Sequence, residues 1–125
     1  MKLFICEKPS QARDIAAVMS ITHKRDGFFE SDDTCVTWGF GHLLEMANPD
    51  DYDPAHKKWS FETLPILPDP WQLIVKKSTS KQFKVIKQLL SKAQQVVIAT
   101  DADREGETIA REIMDACHYS GGIQR

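Results

Sequence analysis

Val96-Val97-Ile98-Ala99-Thr100-Asp101-Ala102-Asp103-Arg104-Glu105-Gly106-Glu107 is the stretch whose reading decides the fold of this 125-residue chain. Val96 to Ile98 is a short β-branched apolar run, the pattern of a strand covered on both faces. Thr100 and Asp101 mark its exit from the core. From Gly106 the apolar residues Ile109, Ala110, Ile113 and Cys117 recur at helical spacing. A buried strand running into an amphipathic helix is the unit of an α/β fold. Between them stand Asp101, Asp103 and Glu105 at alternate positions. Carboxylates crowded at a strand end repel one another. A hard divalent cation with oxygen ligands, Mg²⁺ above all, relieves that repulsion. Extended backbone points Asp101 and Asp103 the same way, so the pair can share one ion. The ordinary explanation is helix chemistry. Acids in a first turn gain roughly 0.3–1 kcal/mol each from the helix dipole, and Asp103 can serve as an N-cap. That covers Glu105 and Glu107 and leaves Asp101 unexplained.

The amino terminus repeats the pattern. Leu3-Phe4-Ile5-Cys6 is an apolar strand that stops at Glu7-Lys8-Pro9-Ser10. Pro9 suits the start of a helix and Ser10 can cap it. Ala12, Ile15, Ala16 and Met19 follow at i, i+3, i+4 and i+7, predicting a helix that returns across the sheet. Ligands of open parallel sheets collect at the carboxyl ends of strands. If the two strands are neighbours, Glu7 joins the acid cluster. A surface Glu7-Lys8 pair without a role is the alternative.

The order β-α-β-β-loop-β-α-β-α predicts an α/β sandwich with a mainly parallel central sheet flanked by helices. Gly27-Phe28-Phe29-Glu30 and Thr34 to Trp38 read as a hairpin around Ser31-Asp32-Asp33. Gly39 and Gly41 flank Phe40 before His42, where a close backbone approach or positive φ is expected. His42 is either held by hydrogen bonds in its loop or stands near the acids to help place a phosphate. Asn48 to Pro70 carries five of the six prolines and reads as an extended irregular segment, pinned to the body by Trp59 and Phe61. Trp71 to Val75 reads as a further strand near an edge.

Composition narrows the class. The hydrophobic fraction of 42% and charged fraction of 27% are those of an ordinary single globular domain. No apolar run approaches the roughly 20 residues that span a bilayer, and the first apolar run is too short for a signal peptide. Cys6, Cys35 and Cys117 lack metal-site spacing and read as buried free thiols of a cytoplasmic protein. The four histidines show no zinc spacing either. The net charge of −2 conceals an asymmetry: Asp26 to Asp53 holds eight acids and no Lys or Arg, whereas Lys76 to Thr100 holds six lysines and no acid. The basic part contains a helix expected over 79–93, with Phe83, Ile86, Leu89 and Leu90 inward and Lys81, Lys84 and Lys92 outward. These lysines are either a solvated face or contacts to a nucleic-acid backbone.

EKPSQA after the first strand and ATDADREGE later resemble the Toprim domain of type IA DNA topoisomerases, in particular the topoisomerase III branch. Thr37-Trp38-Gly39-Phe40-Gly41-His42-Leu43-Leu44-Glu45 is similar to that family's TWxxGHLLE segment. Leu64-Pro65-Ile66-Leu67-Pro68, followed by Trp71-Gln72-Leu73, is similar to its LPIxPxxWxL stretch. A DxDxE triplet alone is shared in outline by primases, some nucleases and recombination proteins; the three motifs in this order are far more specific. The resemblance implies a Rossmann-like Toprim sandwich over 1–118, with 119–125 beginning a linker to further domains. It implies transfer of a phosphodiester of single-stranded DNA to a tyrosine and back. Mg²⁺, or Mn²⁺ in its place, would be held by Asp101, Asp103 and Glu7, with Glu105 contributing. Glu7 would also act as general acid, Lys8 would pair with the scissile phosphate, and Arg104 would clamp a phosphate or bridge its flanking acids. Lys8, His42, Lys81 and Lys84 would face the nucleic acid. Neither Tyr52 nor Tyr119 lies in a segment like the family's nucleophile, so the tyrosine is expected from another domain. The rival readings are a stand-alone metal-dependent nuclease or primase-like factor, a receiver-like domain, and a nucleotide-binding α/β domain, although no Gly-rich phosphate loop follows the first strand.

Overall fold

The computed structural model describes residues 1–68 and 71–125; the last two positions of the proline-rich stretch, Asp69 and Pro70, lie outside the described residues. Among the described residues, eight strands and four α-helices follow in the order β1 (Lys2–Cys6), α1 (Pro9–Val18), β2 (His23–Arg25), β3 (Phe28–Glu30), β4 (Thr34–Trp38), β5 (Leu44–Met46), α2 (Pro49–Tyr52), β6 (Leu73–Val75), α3 (Ser80–Leu90), β7 (Gln95–Ala99), α4 (Arg104–Ala116) and β8 (Gly122–Gln124). The main sheet has the order β2-β3-β4-β1-β7-β8, and β5 pairs β6 in a separate ribbon. β4, β1, β7 and β8 are mutually parallel, while β2 and β3 form antiparallel hairpin steps at one edge.

Alternation along the central strands makes the layers. Leu3 and Ile5 of β1 and Val96 and Ile98 of β7 pack against Phe83, Ile86 and Leu89 of α3 and Ile109, Ile113 and Met114 of α4. Cys6 faces the other way and joins Ala12 and Ala16 of α1, Ile21, Val36 and Trp38. The helices thus cover both faces of a mainly parallel sheet, the expected Rossmann-like sandwich. Ile113, Ile109 and Ile86 are almost fully buried, each worth roughly 1.5–3 kcal/mol of transfer free energy. Among the described residues no helix is long and apolar enough to cross a membrane.

Three expectations are corrected. The segment 119–125, read as the beginning of a linker, carries β8, in register with β7 through Gln95↔Gly122, Val96↔Ile123 and Val97↔Gln124. Gly121-Gly122 reads locally as a flexible joint, but an open strand edge recruits the passing backbone. Trp59 and Phe61 do not pin the proline-rich segment: they are 74% and 101% exposed. The pinning groups are instead Tyr52, whose hydroxyl accepts a hydrogen bond from the Gln72 amide at 2.7 Å, and Ala47, whose amide donates to the Gln72 carbonyl at 2.9 Å. Finally, α1 begins at Pro9 with Lys8 at the N-cap position, so Ser10 lies inside the helix and does not cap it.

The topology locates a crevice. From β1 the chain leaves toward β4 through α1 and the hairpin; from β7 it leaves the opposite way through α4 to β8. β1 and β7 are neighbours in register, Cys6 opposite Ala99. Adjacent parallel strands whose connections diverge leave an opening beyond their carboxyl ends, the switch point at which open α/β sheets bind ligands.

Candidate functional site

Glu7-Lys8 and Thr100-Asp101 emerge side by side at that opening, because each directly follows one of the paired strands. The two distant motifs of the sequence therefore meet. The amino termini of α1 and α4 rise from the same place, and both present unsatisfied N–H groups and positive dipole ends there.

The β7–α4 turn is tightly held. Asp103 caps α4, its Oδ1 accepting from the Gly106 amide at 2.7 Å. Thr100, buried, donates its hydroxyl to the Gly106 carbonyl at 2.7 Å. The Asp103 amide donates to the Asp101 carbonyl at 2.8 Å. That last bond closes a tight turn over Ala102, so 101–103 is not the extended backbone expected from the alternate spacing. The two carboxylates reach the opening because a turn folds them there. Gly106 is what permits it: a Cβ at that position would lie 2.1 Å from the Asp101 carbonyl oxygen. Only a residue without one allows α4 to start so close to the acid loop.

The β1–α1 turn relies on help. Lys8 at the N-cap offers no acceptor. Gln11 supplies it, its Oε1 accepting from the amides of Glu7 at 3.1 Å and Lys8 at 3.2 Å. The same side chain donates from Nε2 to Asp101 Oδ1 at 2.5 Å, across 90 residues of sequence. Glu7 Oε1 is buried and has no hydrogen-bond partner. Burial of this oxygen pushes the Glu7 carboxyl above its ordinary pKa; the Asp101 charge and hydrogen bonding to its side chain push it further, with a lesser push from Asp103, against an opposing pull from hydrogen bonding to the Asp101 backbone. A buried carboxylate oxygen without a partner is costly. The local remedies are a proton or a cation.

Other expected residues are arranged less as the sequence implied. Glu105 is exposed and meets His42, Nε2 to Oε1 at 3.5 Å. His42 Nδ1 lies 3.2 Å from Glu112 Oε2. His42 therefore bridges two carboxylates of α4, held in place by side chains and near the acids at once. It arrives there through Gly41, whose φ of +75° is a left-handed conformation, and whose amide donates to the Glu7 carbonyl at 3.2 Å. Arg104 is exposed at the start of α4 and makes no ion pair among the described residues. Lys8 is exposed at the mouth of the opening. Lys81 pairs with Asp26 at 2.8 Å, both largely in solvent, so an acid from a distant segment compensates this lysine although its own segment has none. Lys84 is exposed on α3. Among the described residues, no group of three or more His, Cys, Asp or Glu side chains is gathered closely enough to hold a metal ion.

Two participants have no role assigned by the sequence pattern. Gln11, a member of the EKPSQA stretch, is one. Arg125 is the other: following β8, it donates to Glu107 Oε2 at 2.6 Å and to the Asp101 carbonyl at 2.5 Å. Glu107 also pairs with Arg111 at 2.7 Å, and these hydrogen bonds and charges hold its carboxyl below the ordinary range. Parallel pairing of β8 beside β7 is what brings Arg125 level with the acid loop.

A mainly parallel sheet with an acid-bearing switch point at β1 and β7, the second acid turn opening α4, defines the class. The chain belongs to the Toprim domain family, whose model matches residues 2–124. It is 50% identical over 125 residues to the DNA topoisomerase 3 of Staphylococcus haemolyticus, covering 98% of this chain and 18% of that relative. Identity to the DNA topoisomerase 3 of Staphylococcus aureus (strain USA300) is 49%, and to that of Staphylococcus saprophyticus 46%, with the same shares covered. The chain thus spans 18% of the length of the curated relatives it matches.

Proposed function

We propose that the chain is the metal-binding Toprim domain of a type IA DNA topoisomerase of the topoisomerase III branch, which relaxes and decatenates DNA through transient cleavage of one strand. The observation that carries this reading is the buried, unpartnered Glu7 Oε1 beside Asp101, in a chain about half identical to relatives named DNA topoisomerase 3.

In their chemistry, if not in their present spacing, the carboxylate oxygens of this site suit a hard divalent cation, Mg²⁺ or Mn²⁺. Asp101 and Asp103 each have Oδ1 engaged by a hydrogen-bond donor, which leaves Oδ2 of each for an ion, and Glu7 supplies the partnerless oxygen. Glu105, more exposed and tied to His42, serves as a weaker or outer contact. These acids do not close a cage, so phosphate oxygens and water would complete the coordination. When bound, the ion stabilises negative charge developing on the phosphate and fixes the DNA backbone in register.

The chain's own residues supply the rest. Glu7, biased toward its protonated form, can hand a proton to the leaving 3′ oxygen. Lys8, exposed at the helix start, offers a mobile point charge to the scissile phosphate. Arg104, at the first position of α4, can clamp a neighbouring phosphate. The two helix amino termini add oriented N–H groups. The nucleophilic tyrosine belongs to another domain. Tyr52 is occupied as a brace against Gln72, and Tyr119 donates to the Gly122 carbonyl at 3.2 Å.

Two experiments test the reading. Mn²⁺ titration should broaden amide signals around Glu7, Asp101 and Asp103; broadening centred elsewhere overturns the site. With negatively supercoiled plasmid and Mg²⁺, the 125-residue chain should neither relax DNA nor form a covalent adduct. Adduct formation lost in Tyr52→Phe or Tyr119→Phe would overturn the division of labour. Nicking without an adduct, abolished by Asp101→Asn, would favour the stand-alone nuclease. Binding of single-stranded DNA through Lys8, His42 and the α3 lysines should weaken with salt. Four engaged phosphates correspond to a slope of about −3 in log K against log salt. Replacing Lys81 and Lys84 should flatten it.

A further inference from the structure

We propose that Gln11 is a positioning residue that locks the Asp101 carboxylate to the Glu7–Lys8 turn, so that one amide side chain sets the geometry of both halves of the acid site. This rests on the metal-binding reading above.

The geometry uses both ends of the amide. Oε1 accepts from two consecutive backbone amides, Glu7 and Lys8, while Nε2 donates to Asp101 Oδ1 at 2.5 Å. A primary amide is a neutral group that accepts at one end and donates at the other. Leucine at this position would do neither. Glutamate would keep both backbone contacts but could not donate, and its charge would face Asp101. The side chain is itself well anchored. Gln11 is the third residue of α1 and is half buried, and its neighbour Ala12 is buried in the core under β1.

The consequence for the acid site is orientation. With Oδ1 of Asp101 tied to α1, Oδ2 is left to the opening where Glu7 Oε1 stands without a partner. Sheet pairing alone fixes the strand ends but leaves a free aspartate its rotamers. Hydrogen bonds that orient a metal-ligating carboxylate typically change metal affinity by about 10–100-fold when removed.

A simpler role exists: Gln11 could serve α1 alone, as the acceptor its N-cap lacks. The two roles separate experimentally, because Gln11→Glu preserves the capping acceptor and places a favourable charge in the first turn. A pure cap predicts that Gln11→Glu is at least as stable as the unsubstituted chain, whatever stands at position 101. Positioning predicts that Gln11→Glu lowers stability at neutral pH by setting two carboxylates together. Adding Asp101→Asn should then restore stability. The new amide at position 101 can donate to the new carboxylate at position 11, so the bond re-forms with its direction reversed.

The experiment is urea denaturation of the chain carrying each substitution and both, alongside Mn²⁺ affinity by electron paramagnetic resonance for the unsubstituted chain and Gln11→Leu. The proposal expects a coupling of about tenfold in the folding equilibrium constant between positions 11 and 101, and about tenfold weaker Mn²⁺ binding in a folded Gln11→Leu. Additivity within about twofold, or unchanged Mn²⁺ affinity in Gln11→Leu, would overturn it. Coupling in a chain that binds no Mn²⁺ at all would overturn the metal reading instead, and leave Gln11 as a lock between two turns.

Discussion

The two turns that build the site leave neighbouring strands at the same level and each opens a helix, yet they are stabilised in opposite ways. The β7–α4 turn is self-contained: Asp103 caps, Thr100 ties down the Gly106 carbonyl, and Gly106 closes against Asp101. The β1–α1 turn has a lysine where an acceptor belongs and borrows one from Gln11. Glu7 Oε1 beside it is buried without a partner. A residue that stabilises its own turn needs no further explanation. An acid with one buried oxygen left without a partner does, and this contrast marks Asp103 as structural in its turn and leaves Glu7 as the acid its own turn does not explain.

The sharpest way to break the comparison is Gly106→Ala. A Cβ only 2.1 Å from the Asp101 carbonyl must push α4 off the acid loop, and we expect a loss of about 3 kcal/mol in urea denaturation. A loss below about 1 kcal/mol would mean the β7–α4 turn is not close-packed. Next in size, Asp103→Ala should cost about 1 kcal/mol through the lost cap, and Asp103→Ser should recover most of it. Equal loss in both would assign Asp103 no capping role.

Glu7→Gln sharpens the comparison through pH. Burial and then Asp101 raise the folded pKa of Glu7, so the folded chain keeps this proton where the unfolded chain has released it. That contribution to stability is complete below the unfolded glutamate pKa of about 4.3. It is lost as pH rises through the higher folded value. Glu7→Gln should therefore be less pH-dependent over that window and more stable than the unsubstituted chain at neutral pH. A variant less stable at neutral pH would make Glu7 structural after all. The smallest expected effect is Lys8→Ala: the side chain is exposed and caps nothing, so stability should move by less than about 0.5 kcal/mol, while affinity for single-stranded DNA falls.

The strands and helices bearing the site are legible in the sequence because their signals are local. Val96 to Ile98 and Leu3 to Cys6 are short apolar runs, and Ile109, Ala110 and Ile113 mark one helical face. The acid-bearing ends are legible because carboxylates cluster there beyond what helix capping explains. What the sequence hides is long-range. Gln11 belongs to the EKPSQA stretch, but its contact is not written there: only the β1–β7 pairing brings it to Asp101. Lys81 lies in an acid-free segment, and its partner Asp26 comes from elsewhere in the chain. Arg125 follows a Gly-Gly pair that reads as a joint, and the open edge of β7 turns that segment into a strand that delivers the guanidinium to the acid loop.

By itself, then, the sequence determined the alternation of buried strands and amphipathic helices and the placing of Glu7, Lys8, Asp101, Asp103 and Arg104 on strand-to-helix turns. Periodicity and turn chemistry act over a few residues, so they can be read there. Tertiary structure alone decided that β1 and β7 are neighbours, that Gln11 and Arg125 grip the loop between them, and that Glu7 Oε1 is shut away without a partner. Those facts depend on which strand edges pair and which surfaces exclude water, free-energy differences that belong to the assembled chain and to no segment of it.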